Sequence, residues 1–251
     1  MLRSEQPYRG LDGLTLAIDR DDPFQASMLL GLYDPVVKAI IERYTPAGGI
    51  VIDGGAFIGY IALLFARRVG PTGSVHSFEC DPRVLPRLRR NVEINGMDWV
   101  IVNPRGLFDR TTAEAQLALP SQLGWASMQP GAWGATEATT VAMVALDDYV
   151  AERGIDAERI SFIKLDLEGC ELEALQGARG TLAAASAPVL VELIPDRMRA
   201  LGQDPEELLA LMNGLGYEPW APLRLRRGAV RFAPGIEPQV GEDVLFLKRA
   251  A

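Results

Sequence analysis

The 251-residue chain carries one histidine, His76, and two cysteines, Cys80 and Cys170. That shortage leaves no metal-ligand spacing and no disulfide framework, and a reducing, cytoplasmic setting is expected. Basic residues are also few: 25 Lys and Arg stand against 33 Asp and Glu, a net charge of −8. This argues against nucleic acid as the main partner, because phosphate binding needs a basic face. No apolar run reaches the ~20 residues that span a bilayer, and the opening MLRSEQPYRG holds no signal-peptide core. No internal repeat is visible. What is present is 48% hydrophobic content, enough over this length to bury an α/β core in one domain. Residues 1–33 are expected to form a lead-in, and residues 34–251 a single domain.

The most informative stretch is Ile50-Val-Ile-Asp53-Gly54-Gly55-Ala56-Phe57-Ile58-Gly59-Tyr60. Three β-branched residues read as a buried strand, the acid and glycines as a tight turn, and Ile61–Ala66 as a helix packed back on the sheet. A strand, a glycine turn and a helix N-terminus make a site for a nucleotide-like ligand. A dinucleotide turn would read G-x-G-x-x-G. Here the spacing is Asp53-x-Gly55-x-x-x-Gly59, and a carboxylate at the strand end repels a pyrophosphate. It suits the ammonium and sulfonium of S-adenosylmethionine.

Upstream, Asp34 and Pro35 open a helix as N-cap and first residue, with Val36, Val37, Ile40, Ile41 and Tyr44 on its apolar face. Downstream, Gly73–Glu79 reads as a second strand ending in an acid about 20 residues past the glycines, the spacing of a ribose-binding carboxylate. Asp81-Pro82 repeats the cap-and-proline start. Pro86 is expected to distort that helix, and Arg83, Arg87 and Arg90 to form a solvated face. Strand alternation puts His76 opposite Glu79, about 10 Å short of the ligand edge at ~3.3 Å per residue, so it reads as a core histidine rather than a base. A third strand is expected at Trp99–Val102. Residues 119–140 read as a lid or binding loop with little periodicity, containing Trp125 and Trp133. Val141–Val144 resumes strand pattern, and Asp147 is expected to cap the next helix.

A second chemical centre is Ile160-Ser-Phe-Ile-Lys-Leu-Asp166-Leu-Glu168-Gly-Cys-Glu171, a strand running directly into carboxylates. Pro188–Ile194 is another strand, with Glu192 near its end. Acids thus close four strands (Asp53, Glu79, Asp166, Glu192), at the edge where open α/β sheets bind ligands. Strands are expected again at Gly216–Trp220 and Asp243–Lys248. Arg224, Arg226, Arg227 and Arg231 flank an exposed strand whose edge they would protect.

These segments resemble, in order, the FkbM family of S-adenosylmethionine-dependent methyltransferases: VIDGGAFIGY, HSFECDP, Asn91 and Asn95, GWASM, LDDYV, FIKLDLEGCELEALQGA and VELIP. The likeness runs from about Gly31 to Gly216. It implies a class I methyltransferase fold, a seven-stranded mostly parallel sheet with an antiparallel last strand and helices on both faces. It further implies S-adenosylmethionine as cofactor and O-methylation of a sugar or natural-product hydroxyl. By position, Asp53, Gly55, Ala56 and Gly59 would hold the methionine end and Glu79 the ribose, with Tyr33 and Asp34 near the methionine carboxylate and amine. Gly54, Phe57, Cys80, Gly106, Leu107 and Asp166 complete the expected cofactor contacts. Phe57 replaces the family's usual asparagine, and Cys170 its usual alanine.

The expected acceptor is a small molecule, contacted by Trp125, Ser127 and Trp133; a homodimer is compatible with the sequence. Asp166 is expected to act as base or acceptor-orienting group, supported by Glu168 and Glu192, with no metal required. A divalent cation on the same oxygens is the rival. A nicotinamide dehydrogenase and a binding module without turnover are the alternatives to methyl transfer.

Overall fold

A computed structural model describes residues 6–128, 130–224, 230–234 and 242–249. Its centre is a sheet of eight strands: β1 (Ile50–Gly54), β2 (Ser74–Phe78), β3 (Val100–Asn103), β4 (Ile160–Leu165), β5 (Val189–Leu193), β6 (Tyr217–Arg224), β7 (Val230–Pro234) and β8 (Glu242–Lys248). In space they run β7-β6-β8-β5-β4-β1-β2-β3. The first five are parallel. β8 is antiparallel to both β5 and β6. The seven expected strands are therefore present, and β7 adds an eighth at the edge by pairing antiparallel with β6. Arg226 and Arg227 lie outside the described residues.

The buried strands face apolar layers on both sides, so their side chains alternate between two cores rather than between core and water. Val51, Val75, Leu190 and Leu245 face a layer with Ile40, Ile61, Phe65 and Leu88. Their neighbours Ile52, Ile163, Val189, Val191 and Phe246 face Tyr149, Leu172, Leu182 and Met212. After β3 the chain returns to place β4 on the other side of β1. This reversal opens a crevice beyond the carboxyl ends of β1 and β4, the position at which such sheets bind ligands.

The lead-in is bonded into this body. Thr15–Ala17 pairs with Pro7–Arg9, and the Asn91 side chain accepts from Ala17 N at 2.6 Å while Asn95 accepts from Thr15 N at 3.0 Å. The helix Pro23–Leu29 then brings Phe24 to the crevice.

Several local expectations are corrected. The helix after β2 begins at Leu85, so Pro86 sits in its first turn and distorts nothing. Arg87 is buried, donating to Gln25 Oε1 at 3.0 Å, and Arg83 donates to Asp81 and to the Pro120 carbonyl; neither lies on a solvated face. Asp147 does not cap its own helix, Leu146–Arg153, whose N-cap is Ala145. Its carboxylate instead accepts from Gly180 N and Thr181 N, at the start of the helix Arg179–Ala184. His76 is the core histidine expected: Nδ1 lies 2.7 Å from the Tyr149 hydroxyl and Nε2 3.2 Å from Ser74 Oγ.

The stretch expected as a loop over 119–140 is partly sheet. Thr112–Leu119 pairs antiparallel with Glu137–Val144, and Gly106–Leu107 adds a third, parallel strand. Glu137, Ala138 and Thr140 are exposed, so the returning strand shows no apolar alternation at this end, although Leu117 and Ala118 across from it are buried. Residues 120–136 remain as the arm that joins the two strands.

Candidate active site

β1 ends in a turn that only glycine can make in two places. Gly55 has φ +73°, and a Cβ there would run into the Asp166 carbonyl oxygen. Gly59 has φ +91°, and a Cβ would come within 2.5 Å of Leu88 Cδ1. The first glycine lets β1 and β4 close side by side; the second lets the helix Tyr60–Val69 start against its neighbour. Among the described residues, left-handed backbone outside glycine occurs at Asp34, Phe57, Trp133 and Glu168. Three of the four line one cavity, where backbone strain commonly marks function.

The charge arrangement begins behind the turn. Lys164, on β4, is buried with its Nζ 3.3 Å from Asp166 Oδ2 and 3.7 Å from Asp53 Oδ1. The same ammonium donates to the carbonyls of Gly54 and Gly55 at 3.3 and 3.4 Å. Burial pulls the Lys164 pKa down, but Asp166, Asp53 and Tyr33 outweigh it and hold it above the usual ammonium range. Burial raises the Asp53 carboxyl against the pull of Lys164. Asp53 is fully buried and does not line the cavity; its carboxylate faces Lys164 and accepts from Ser77 Oγ at 3.4 Å.

In front of the turn, carboxylate oxygens of Asp166, Glu168 and Glu192 lie within 4.8 Å of one another. Arg197 Nη1 bridges two of them, donating to Glu168 Oε2 and, at 3.2 Å, to Glu192 Oε2. Burial pushes Glu168 up to about 7; burial, then Asp166, Glu168 and Glu171, push Glu192 up to about 9. Glu171 is fully buried and shapes the loop, its Oε1 accepting from Leu167 N at 2.7 Å and Gly169 N at 3.3 Å. Asp166 caps no helix, because the helix Glu171–Gln176 has Cys170 as its N-cap.

All this opens on a cavity of about 620 Å³, within the usual range for small-molecule sites. Tyr33, Asp34, Gly55, Ala56, Phe57, Glu79, Cys80, Gly106, Leu107, Trp125, Asp166, Glu168 and Glu192 line it; Gly54, Gly59, Ser127 and Trp133 do not. Ser127 instead donates to the Glu168 carbonyl at 3.3 Å, and Trp133 lies 5.6 Å from the Trp125 ring. Lys164, Arg197 and Phe24 also line the cavity, and sequence reasoning gave them no role. For Lys164 a signal existed, a lysine inside an otherwise apolar strand. Phe24 and Arg197 carried none, since both depend on helices whose docking the sequence does not display.

The sequence profile of the Methyltransferase FkbM domain matches residues 53–219. The chain belongs to the FkbM methyltransferase family. No curated protein matches it in sequence. Among solved structures, it is similar to a SAM-dependent O-methyltransferase from Thermotoga maritima, with 12% identity over 99% of this chain and 79% of that one, and a TM-score of 0.51. A methyltransferase FkbM from Methylobacillus flagellatus matches at 18% identity over 92% of this chain and 56% of that one, TM-score 0.47. An O-methyltransferase from Bacillus cereus solved with S-adenosylhomocysteine matches at 12% identity over 86% and 80%, TM-score 0.49. At 12% identity the likeness to the Thermotoga maritima enzyme is one of fold, that of class I S-adenosylmethionine-dependent methyltransferases.

S-adenosylmethionine is accordingly the cofactor of this FkbM methyltransferase, and the cavity residues fit it. Glu79 stands at the end of β2 and accepts from Phe57 N and Asp81 N, each at 2.8 Å, one on each oxygen. Each carboxylate oxygen has a further lone pair, so the side chain can still receive ribose hydroxyls. Burial raises Glu79 to about 7. Asp34 caps its helix, accepting from Val37 N at 2.9 Å, with burial raising its carboxyl. Tyr33 sits edge-to-face between Phe24 and Tyr60, with ring centres 4.9 and 5.8 Å away. Among the described residues, no helix is long and apolar enough to cross a membrane.

Proposed function

We propose that this methyltransferase acts on a hydroxyl of a small-molecule acceptor, a sugar or a natural-product scaffold, and that Asp166 is its base or acceptor-orienting group. The bound cofactor supplies the electrophilic methyl group. Displacement at that methyl is in line, so the chain's task is to hold the acceptor oxygen at near-attack distance and take its proton. The observation carrying the reading is the carboxylate cluster at the ends of β4 and β5, beside the glycine turn. Lys164 fixes Asp166 from behind, and Arg197 ties Glu168 to Glu192. His76 is no rival, since it is buried against Tyr149 and Ser74 and burial lowers its pKa to about 4.

The aromatic wall suits an acceptor with an apolar face: Phe24 and Trp125 line the same cavity and are 43% and 41% exposed. The three carboxylates are also spaced to hold a divalent cation, which would lower the acceptor pKa directly. Arg197 already supplies positive charge between two of them, which favours the metal-free reading.

The test is incubation with methyl-labelled S-adenosylmethionine and a panel of sugars, glycosides, polyhydroxylated aglycones and amines, read by mass spectrometry. A methyl ether is expected. Exclusive N-methylation, or cofactor binding without product across the panel, would contradict the reading.

A further inference from the structure

Arg197 stands in the helix Pro195–Ala200, which begins directly after β5. The edge of its guanidinium serves the carboxylates, donating to Glu168 and Glu192. Its centre lies 4.8 Å from the ring centre of Trp133, near the C-terminal end of the 120–136 arm. Trp133 is 46% exposed, so no apolar core fixes the ring. It leans on Trp125, 5.6 Å away at 59°, and Trp125 lines the cavity. A planar guanidinium can meet an indole with its face while its edge holds carboxylates; a lysine ammonium, a point charge, cannot do both.

We propose that Arg197 is a positioning residue that latches the 120–136 arm to the carboxylate cluster. One side chain thereby sets Glu168 and Glu192 and holds the arm at the cavity. The proposal rests on the reading of this cavity as the methyl-transfer site, and it goes further by giving the arm a mechanical connection to the reacting end.

The test uses the full chain and needs no acceptor. Two indoles in tilted contact give an exciton couplet in circular dichroism, and chymotrypsin can cut the arm at Leu123, Trp125 and Trp133 whenever it lifts. Trp133→Phe should abolish the couplet and so assign it. Arg197→Met and Arg197→Lys should both weaken it and speed arm cleavage about 2- to 5-fold, the factor corresponding to loss of a part-exposed cation–π contact. Arg199→Met, on the same helix and ion-paired with Asp196, should change neither. Arg197→Lys keeps the charge and so keeps the test usable if the methionine variant fails to fold. A wild-type couplet and wild-type cleavage in folded Arg197→Lys would overturn the latch. Failure of S-adenosylhomocysteine to bind the wild type, by calorimetry, would instead overturn the reading of the cavity.

Discussion

The Lys164 ammonium and the Asp166 carboxylate, two residues apart at the end of β4, lie 3.3 Å from each other and point the same strand end at both the core and the cavity. Inward, the lysine reaches the fully buried Asp53 and the carbonyls of Gly54 and Gly55. The cofactor turn and the carboxylate cluster are thus tied through one buried cation.

Removing that cation should be costly. Lys164→Met leaves the buried Asp53 carboxylate uncompensated, a defect that commonly costs about 3–5 kcal/mol. Urea unfolding should show such a loss, and the added change Asp53→Asn should recover much of it. Equal stability of Lys164→Met and wild type would show that the network is not structural.

Cofactor affinity should depend on Glu79. Loss of hydrogen bonds to a charged group predicts a weakening of roughly 1.5–3 kcal/mol in Glu79→Ala. The measurement is calorimetry with S-adenosylhomocysteine on a variant whose circular dichroism is native. Unchanged affinity would remove Glu79 from the ribose site.

Much of this was legible in the sequence. The run Ile50–Gly59 announces its strand and turn because most of it obeys local rules: β-branched residues for the strand, and Gly55 and Gly59 where φ is positive, with Phe57 at positive φ as the exception. Asp166, Glu168 and Glu192 could be named because strand ends are readable and chemistry gathers there. The hidden part is tertiary. Asp53 read as a ligand for the cofactor, yet its partner is Lys164 across the β1–β4 pair, and no local pattern shows which way a strand-end acid turns. Asp147 read as a local cap and serves a helix more than thirty residues away. Arg87 read as solvated because the lead-in that buries it, through Gln25, lies 62 positions upstream.

Stability should vary with pH through Glu171. Burial raises its pKa from 4.5 to about 7, so the folded state holds the proton more tightly than the unfolded chain. Its contribution is full below about pH 4.5 and is lost as pH rises through about 7. Glutamine keeps an oxygen to accept from Leu167 N and Gly169 N but does not titrate. Glu171→Gln should therefore gain on the wild type across that window, by on the order of 1–3 kcal/mol, and level off above it. Parallel denaturation curves at pH 5 and pH 8 would contradict this.

The central claim is that Asp166 acts on the acceptor hydroxyl, and the turnover of Asp166→Asn on a hydroxyl acceptor, beside the wild type, tests it most directly. Asparagine keeps the shape and removes the charge. A fall of about 10²-fold or more in kcat is expected, the usual worth of a general base, with S-adenosylhomocysteine affinity nearly kept and wild-type turnover undiminished in EDTA. Near wild-type turnover in Asp166→Asn, or wild-type activity lost in EDTA and restored by Mg²⁺, would contradict the account.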